Sequence, residues 1–266
     1  MAESELTLLL TRPKQQAADW LARMAALGVA THSLPLIEIV ATDGAAARAA
    51  WDLLPTAALA LFVSPNAVAH FFAERPPASS WPAQTLAACV GPGSARALAE
   101  AGVPAALIVQ PPADSPSLDS EHLWPLLRER AWAGRRVLML RGDGGREWLA
   151  DRLREQGASP EVFSVYQRRC PQLTPAEQGV LAQALAAPAR HVWLFSSAEA
   201  IGYLQALAPP GHDWRAVQCI ATHARIAARA RELGVGHVVL ARPDARAVAE
   251  AVGAIAGHPY NHFHCE

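Results

Sequence analysis

Ser64-Pro65-Asn66 and Ser196-Ser197 each follow an apolar run and open a helical pattern. Three more turns have the same setting: Thr11-Arg12-Pro13, Gly91-Pro92-Gly93-Ser94, and Arg141-Gly142-Asp143-Gly144-Gly145-Arg146. His223 stands at another turn into a helix. A helix N-terminus carries free backbone N–H groups and a partial positive charge, which suit carboxylates and phosphates. Ser64, Asn66, Gly91, Ser94, Gly142, Ser196, Ser197 and His223 are therefore candidates for holding an anion, although the same residue types also serve as plain caps and strain-free turns. Arg12, Arg141 and Arg146 add guanidinium forks, which pair with carboxylates at two points.

Tyr166 carries the titratable group of most interest, in an extended segment of a chain with only 3 Tyr. A phenol in a dry site can donate a proton or stabilise a leaving hydroxide; packing is the competing role. Other chemistries lack their motifs. No GxGxxG, GxxxxGK[ST] or GxSxG occurs, which argues against a dinucleotide fold, a P-loop or a serine-hydrolase elbow. Cys89, Cys170, Cys219 and Cys265 form no CxxC or zinc spacing, and Cys89 and Cys219 read as buried thiols. His70 and His122 read as ordinary helix residues. His258, His262 and His264 fall in the last nine residues, and 259–266 reads as a frayed tail before a metal site. No metal site is expected.

These turns need a scaffold, and the chain supplies a regular alternation of short β-rich runs and amphipathic helices. Strands are expected at residues 6–10, 31–34, 59–63, 85–90, 105–109, 136–140, 191–195, 217–221 and 237–240, with extended connectors at 36–40 and 162–166. Helices are expected at 15–27, from 66, from about 91 to 102, at 118–130, at 146–156, after Pro175, from Ala198, at 224–233 and from Ala245. Strands separated by such helices imply parallel sheets flanked by helices, an α/β fold. A length of 266 residues, with 52% hydrophobic and 18% charged, allows two domains of ordinary size. Residues 7–29 resemble 136–158, and each stretch is followed by an extended connector. Two similar lobes are thus expected, with a cleft between them and a two-stranded linker. One lobe is expected to combine 1–36 with 170–258, with 40–165 inserted; a consecutive division is the alternative.

A net charge of −1 gives no global field toward nucleic acid or an anionic membrane. The first residues suggest neither a signal peptide nor a membrane span, so a cytoplasmic protein is expected.

Several stretches together resemble the uroporphyrinogen-III synthase family. They are Leu8-Leu9-Leu10-Thr11-Arg12-Pro13, Pro35-Leu36-Ile37-Glu38-Ile39, Phe62-Val63-Ser64-Pro65-Asn66-Ala67-Val68, Val90-Gly91-Pro92-Gly93-Ser94-Ala95-Arg96, Leu140-Arg141-Gly142 with Gly145-Arg146-Glu147, Val165-Tyr166-Gln167-Arg168, and Phe195-Ser196-Ser197. The resemblance spans roughly residues 6–256. It departs at Ser94, where the family commonly has Thr, and at Ala221-Thr222-His223, which replaces a Gly-Pro-Thr type of turn. The resemblance implies conversion of linear hydroxymethylbilane, an octacarboxylate, to uroporphyrinogen III in haem biosynthesis, with loss of water and inversion of ring D through a spiro intermediate. It implies a lyase without cofactor, a functional hand-over from hydroxymethylbilane synthase, and Tyr166 as proton donor to the departing hydroxyl. A non-catalytic two-lobed binding or regulatory protein for an anionic small molecule is the alternative.

Overall fold

The computed structural model describes residues 6–112, 115 and 117–257. In chain order the elements are β1 (Thr7–Leu10), α1 (Ala17–Ala26), β2 (Thr31–Ser33), β3 (Glu38–Ala41), α2 (Ala45–Leu53), β4 (Ala57–Phe62), α3 (Pro65–Ala73), β5 (Leu86–Cys89), α4 (Pro92–Glu100), β6 (Ile108–Val109), α5 (Ser120–Leu123), β7 (Arg136–Gly142), α6 (Trp148–Glu155), β8 (Ser159–Arg169), α7 (Pro175–Ala186), β9 (His191–Phe195), α8 (Ala198–Leu207), β10 (Gln218–Ala221), α9 (Ala224–Leu233), β11 (His237–Leu240) and α10 (Ala245–Ile255). The proposed tail, with His262, His264 and Cys265, lies outside the described residues, as does His258.

The chain divides into two compact units. Unit 1 contains the residues up to Glu38 and those from Arg169 on; unit 2 runs from Ile39 to Arg168. Unit 1 has a five-stranded sheet in the order β11-β10-β9-β1-β2, and unit 2 a six-stranded sheet in the order β3-β8-β7-β4-β5-β6. The ladders from β11 through β2 run parallel, as do those from β8 through β6. Where the chain leaves and re-enters unit 1, Nε and Nη2 of Arg169 donate to the two Glu38 carboxylate oxygens at 2.9 Å. This holds the Glu38 carboxyl below its ordinary range, chiefly through the hydrogen bond.

Helices cover both faces of the unit 2 sheet, so its central strands alternate between two cores. Ala60 and Phe62 of β4 join Leu138 and Leu140 of β7 in a cluster with Trp51, Phe71 and Trp81. Leu59 and Leu61 join Val137 and Met139 on the other face, with Leu123, Trp132 and Leu149. Burial on both faces explains why these strands are apolar at successive positions. In unit 1, Leu8, Leu10, Val192 and Leu194 pack against Trp20 and Met24 of α1 and Val248 and Val252 of α10.

Three expected elements differ. The helix foreseen at 118–130 is only α5 followed by a 3-10 turn at Trp124–Leu126. Pro125 has no N–H for the Glu121 carbonyl and its ring crowds that carbonyl. The helix foreseen from 146 starts at Trp148 because Gly144 and Gly145 take φ values of 68° and 124°, which a helix excludes. The run at 105–109 is mostly a 3-10 turn, with strand only at its last two residues. Helix α2 was not foreseen. It buries Ala47, Ala50, Trp51 and then Leu54, at helical spacing, but alanine gives little apolar contrast.

Helix α7 begins with a capping box: Thr174 Oγ1 accepts from the Glu177 N–H at 3.3 Å, and Glu177 accepts from the Thr174 N–H at 2.8 Å. Thr174→Ala should lower the stability of the protein by about 1 kcal/mol. A urea melt would register this as a lower midpoint, and an unchanged midpoint would mean the box contributes nothing.

Candidate functional site: strand-end turns and the Tyr166 pocket

In an open parallel sheet, ligands gather outside the carboxyl ends of the strands where the strand order reverses. In unit 1 the chain moves from β1 outward to β2, then returns on the other side as β9, β10 and β11, so the reversal falls between β1 and β9. Thr11 Oγ1 stitches these strands by donating to the Leu194 carbonyl at 2.6 Å. Arg12 follows β1 directly after Thr11, and Ser196 and Ser197 follow β9. Ser197 caps α8 by accepting from the Glu199 N–H at 3.2 Å. His223 caps α9 after β10; its Nδ1 accepts from the Arg225 N–H at 3.1 Å, which places that imidazole's proton on Nε2.

Arg12 is the most unusual of these groups. Its guanidinium lies 4.4 Å over the Trp20 ring. Its Nε is buried without a hydrogen-bond partner, and among the described residues it has no ion-pair partner. Desolvation lowers its pKa to about 10. A buried cation without a carboxylate is costly unless an anion arrives.

In unit 2 the reversal falls between β4 and β7. Ser64 follows β4, Gly142 ends β7, and Tyr166 lies on the adjacent β8. The β7–β8 register pairs Arg141 with Ser164 but Gly142 with Tyr166, so Val165 is an extra residue. Such a bulge re-aims a side chain; here it turns Tyr166, in place of Val165, opposite Gly142. Backbone bonds pin the bulge. Thr42 Oγ1 donates to the Val165 carbonyl at 3.3 Å, and the Asp143 N–H donates to the Tyr166 carbonyl at 3.1 Å. The Tyr166 side chain is 3% exposed. Its hydroxyl is 3.0 Å from Ser64 Oγ, which also caps α3 by accepting from the Ala67 N–H at 3.2 Å. A Cβ on Gly142 would lie 2.7 Å from Tyr166 Cε2 and 2.9 Å from Cζ. Gly142 thus makes room for the ring.

The remaining candidates are placed apart from the phenol's immediate contacts. Gly91 caps α4, where Ser94 is buried, and Asn66 lies in the first turn of α3. Arg141 pairs with Glu147 at 2.7 Å, and Arg146 pairs with Glu121. The Arg146 hydrogen bond is the main reason the Glu121 carboxyl is held below its ordinary range. These two arginines are already neutralised by the chain. Reading the sequence alone missed His70. Its ring stacks on Tyr166 with centroids 5.7 Å apart and planes inclined by 23°, and burial lowers its pKa. No local signal announces a contact between residues so far apart in sequence.

Among the described residues no group of three or more His, Cys, Asp or Glu is arranged to hold a metal. Cys89 and Cys219 are buried, and desolvation pushes their thiols up to about 11 and about 12, unsuited to nucleophilic work. Among the described residues no helix is long and apolar enough to cross a membrane.

Fold and turns define a class: a two-unit α/β protein whose strand reversals lie beside polar turns, an arginine stacked on an indole and a buried phenol. The family profile described as uroporphyrinogen-III synthase HemD matches residues 18–250. The uroporphyrinogen-III synthase of Salmonella typhimurium is 32% identical over 179 residues, 66% of this chain and 70% of that protein. That of Escherichia coli is 30% identical over 243 residues, 86% and 92% of the two chains. The chain belongs to the uroporphyrinogen-III synthase family, a family of lyases in porphyrin biosynthesis acting on a small tetrapyrrole. Solved structures agree in fold. A mutant uroporphyrinogen III synthase from the extremely thermophilic bacterium Thermus thermophilus gives a TM-score of 0.62 at 19% identity, covering 95% of this chain and 99% of that one. The enzyme from Helicobacter pylori gives 0.57 at 17% identity, covering 94% and 99%.

Proposed function

We propose that the chain closes linear hydroxymethylbilane to uroporphyrinogen III, with Tyr166 as the acid that assists departure of the hydroxyl. The observation that carries the reading is the Tyr166 phenol, buried at the strand reversal of unit 2 and ending on Ser64 at 3.0 Å. The pyrrole nitrogen's electron pair drives the hydroxymethyl C–O bond apart, and the phenol gives its proton to the oxygen, which leaves as water. The phenol's proton is free for this when Ser64 is the donor in their hydrogen bond, a direction the 3.0 Å contact allows. The resulting azafulvene cyclises unaided to the wrong isomer. The protein's task is to present the substituted α-carbon of ring D for attack, giving the spiro intermediate, so catalysis is chiefly positioning and charge stabilisation. The strand-end turns and Arg12 are proposed to hold carboxylates. Competition from spontaneous closure favours direct hand-over from hydroxymethylbilane synthase. The free thiols Cys89, Cys170 and Cys219 fit a reducing, cytoplasmic setting.

The test is incubation with hydroxymethylbilane and separation of the product isomers. Isomer III is expected; isomer I alone, as in the blank, would overturn the reading. Tyr166→Phe should lower kcat by about 10²-fold, the lower range of general-acid contributions, without abolishing turnover. An unchanged kcat would remove Tyr166 from the chemistry.

A further inference from the structure

We infer that His70 is a positioning residue for the reaction, acting through the Tyr166 phenol; the inference rests on the proposed role of Tyr166. Helix α3 reaches that side chain twice. Its N-cap, Ser64, takes the hydroxyl at 3.0 Å, and His70, one turn before its end, lies against the ring at a centroid distance of 5.7 Å with planes 23° apart. Near-parallel rings at this separation are offset-stacked, an attractive arrangement for aromatic pairs. Gly142 approaches the ring at Cε2 and Cζ, so close that even a methyl group there would collide. Hydroxyl, ring face and ring edge are therefore each in contact.

The stack matters because the bond to Ser64, in which either oxygen can donate, holds the hydroxyl but not the plane of the ring. That plane is set by the core packing around the ring, with Gly142 against its edge and His70 against its face. The imidazole is half-buried, and burial disfavours its charged form. It stacks as a neutral ring. In this role the ring's flat shape counts and its nitrogens do not, so phenylalanine should substitute for it while alanine should not.

The experiment measures kcat and KM for hydroxymethylbilane in His70→Ala, His70→Phe, Tyr166→Phe and the Tyr166→Phe/His70→Ala double variant, with urea midpoints for each. His70→Ala should lower kcat about threefold to tenfold, the range of an aromatic pair interaction, with KM within about twofold. His70→Phe should restore kcat to within about twofold of the parent. In the Tyr166→Phe background, where no proton is delivered, His70→Ala should add no further loss. The inference is overturned by an unchanged kcat in His70→Ala, by failure of Phe to rescue in a protein with a parental urea midpoint, or by a His70→Ala loss that persists in full without the phenol. A Tyr166→Phe variant as fast as the parent overturns the role of Tyr166 and this inference together. A slow Tyr166→Phe with a fast His70→Ala overturns this inference alone.

Discussion

Gly142→Ala should cut kcat by about 10²-fold, the effect of displacing a reacting group by about 1 Å. The added methyl would stand 2.7 Å from Cε2, 2.9 Å from Cζ and 3.2 Å from the hydroxyl of Tyr166. One side has to yield. The backbone beneath is tied by the Asp143 N–H to the Tyr166 carbonyl and by Asp143 Oδ1 to the Arg168 N–H at 2.9 Å, so the ring moves. It then loses Ser64. Overpacking should also destabilise the protein by about 1–3 kcal/mol, visible as a lower urea midpoint. Gly202→Ala is the control: it lies inside α8, and nothing stands within 4 Å of an added Cβ. Equal kcat in Gly142→Ala and the parent would contradict the placement of the phenol; a large loss in Gly202→Ala would show that the effect of a methyl group is not specific to the Tyr166 ring.

Arg12→Met should raise KM about tenfold to a hundredfold with little change in kcat. The range corresponds to one charge-assisted hydrogen bond of about 1.5–3 kcal/mol. Methionine keeps an apolar stem over Trp20 and removes the charge. The sign on stability runs opposite to that on binding. Burial lowers the folded pKa to about 10, so at neutral pH the group is charged in both states and folding bears the desolvation cost. That penalty is fully present below about pH 10 and fades as pH rises above it, since the unfolded state binds the proton more tightly. Arg12→Met should therefore keep or raise the urea midpoint at pH 7 while weakening substrate binding. Arg141→Ala and Arg146→Ala should change KM less, because Glu147 and Glu121 already neutralise those cations. A KM for Arg12→Met equal to the parent's would remove Arg12 from the carboxylate-holding groups.

Much of the scaffold was legible because β-rich runs and helical periodicity are local properties. The strands at His191–Phe195 and His237–Leu240 and the helix Ala224–Leu233 could be bounded to the residue. Strand order could not, since it depends on which strands pair; the reversals beside Arg12 and Ser64 follow from that order and were invisible too. Ser64 and Tyr166 could be singled out by residue type, but their contact spans 102 positions and depends on a bulge at Val165. Alternation along β8 without the bulge would have put Val165 opposite Gly142. Likewise the three arginines look alike in sequence. Only the fold brings Glu121 to Arg146 across 25 positions and leaves Arg12 over an indole.

The Glu38–Arg169 ion pair marks the place where one unit interrupts the other, and this imposes an order on synthesis. β1 pairs with β2 on one side and β9 on the other. During translation its second partner emerges only after the whole of unit 2 has been made, a wait of about 6–30 s at ordinary elongation rates. Unit 2 holds all of its own strands in one continuous stretch except the first residue of β3 and the last of β8, so it can complete its sheet first. Its folding then brings residues 38 and 169 together, shortening the loop that unit 1 has to close. β1, made before unit 2, in this way waits for a partner made after it, and the inserted unit serves as the clamp that gathers the two halves of its host.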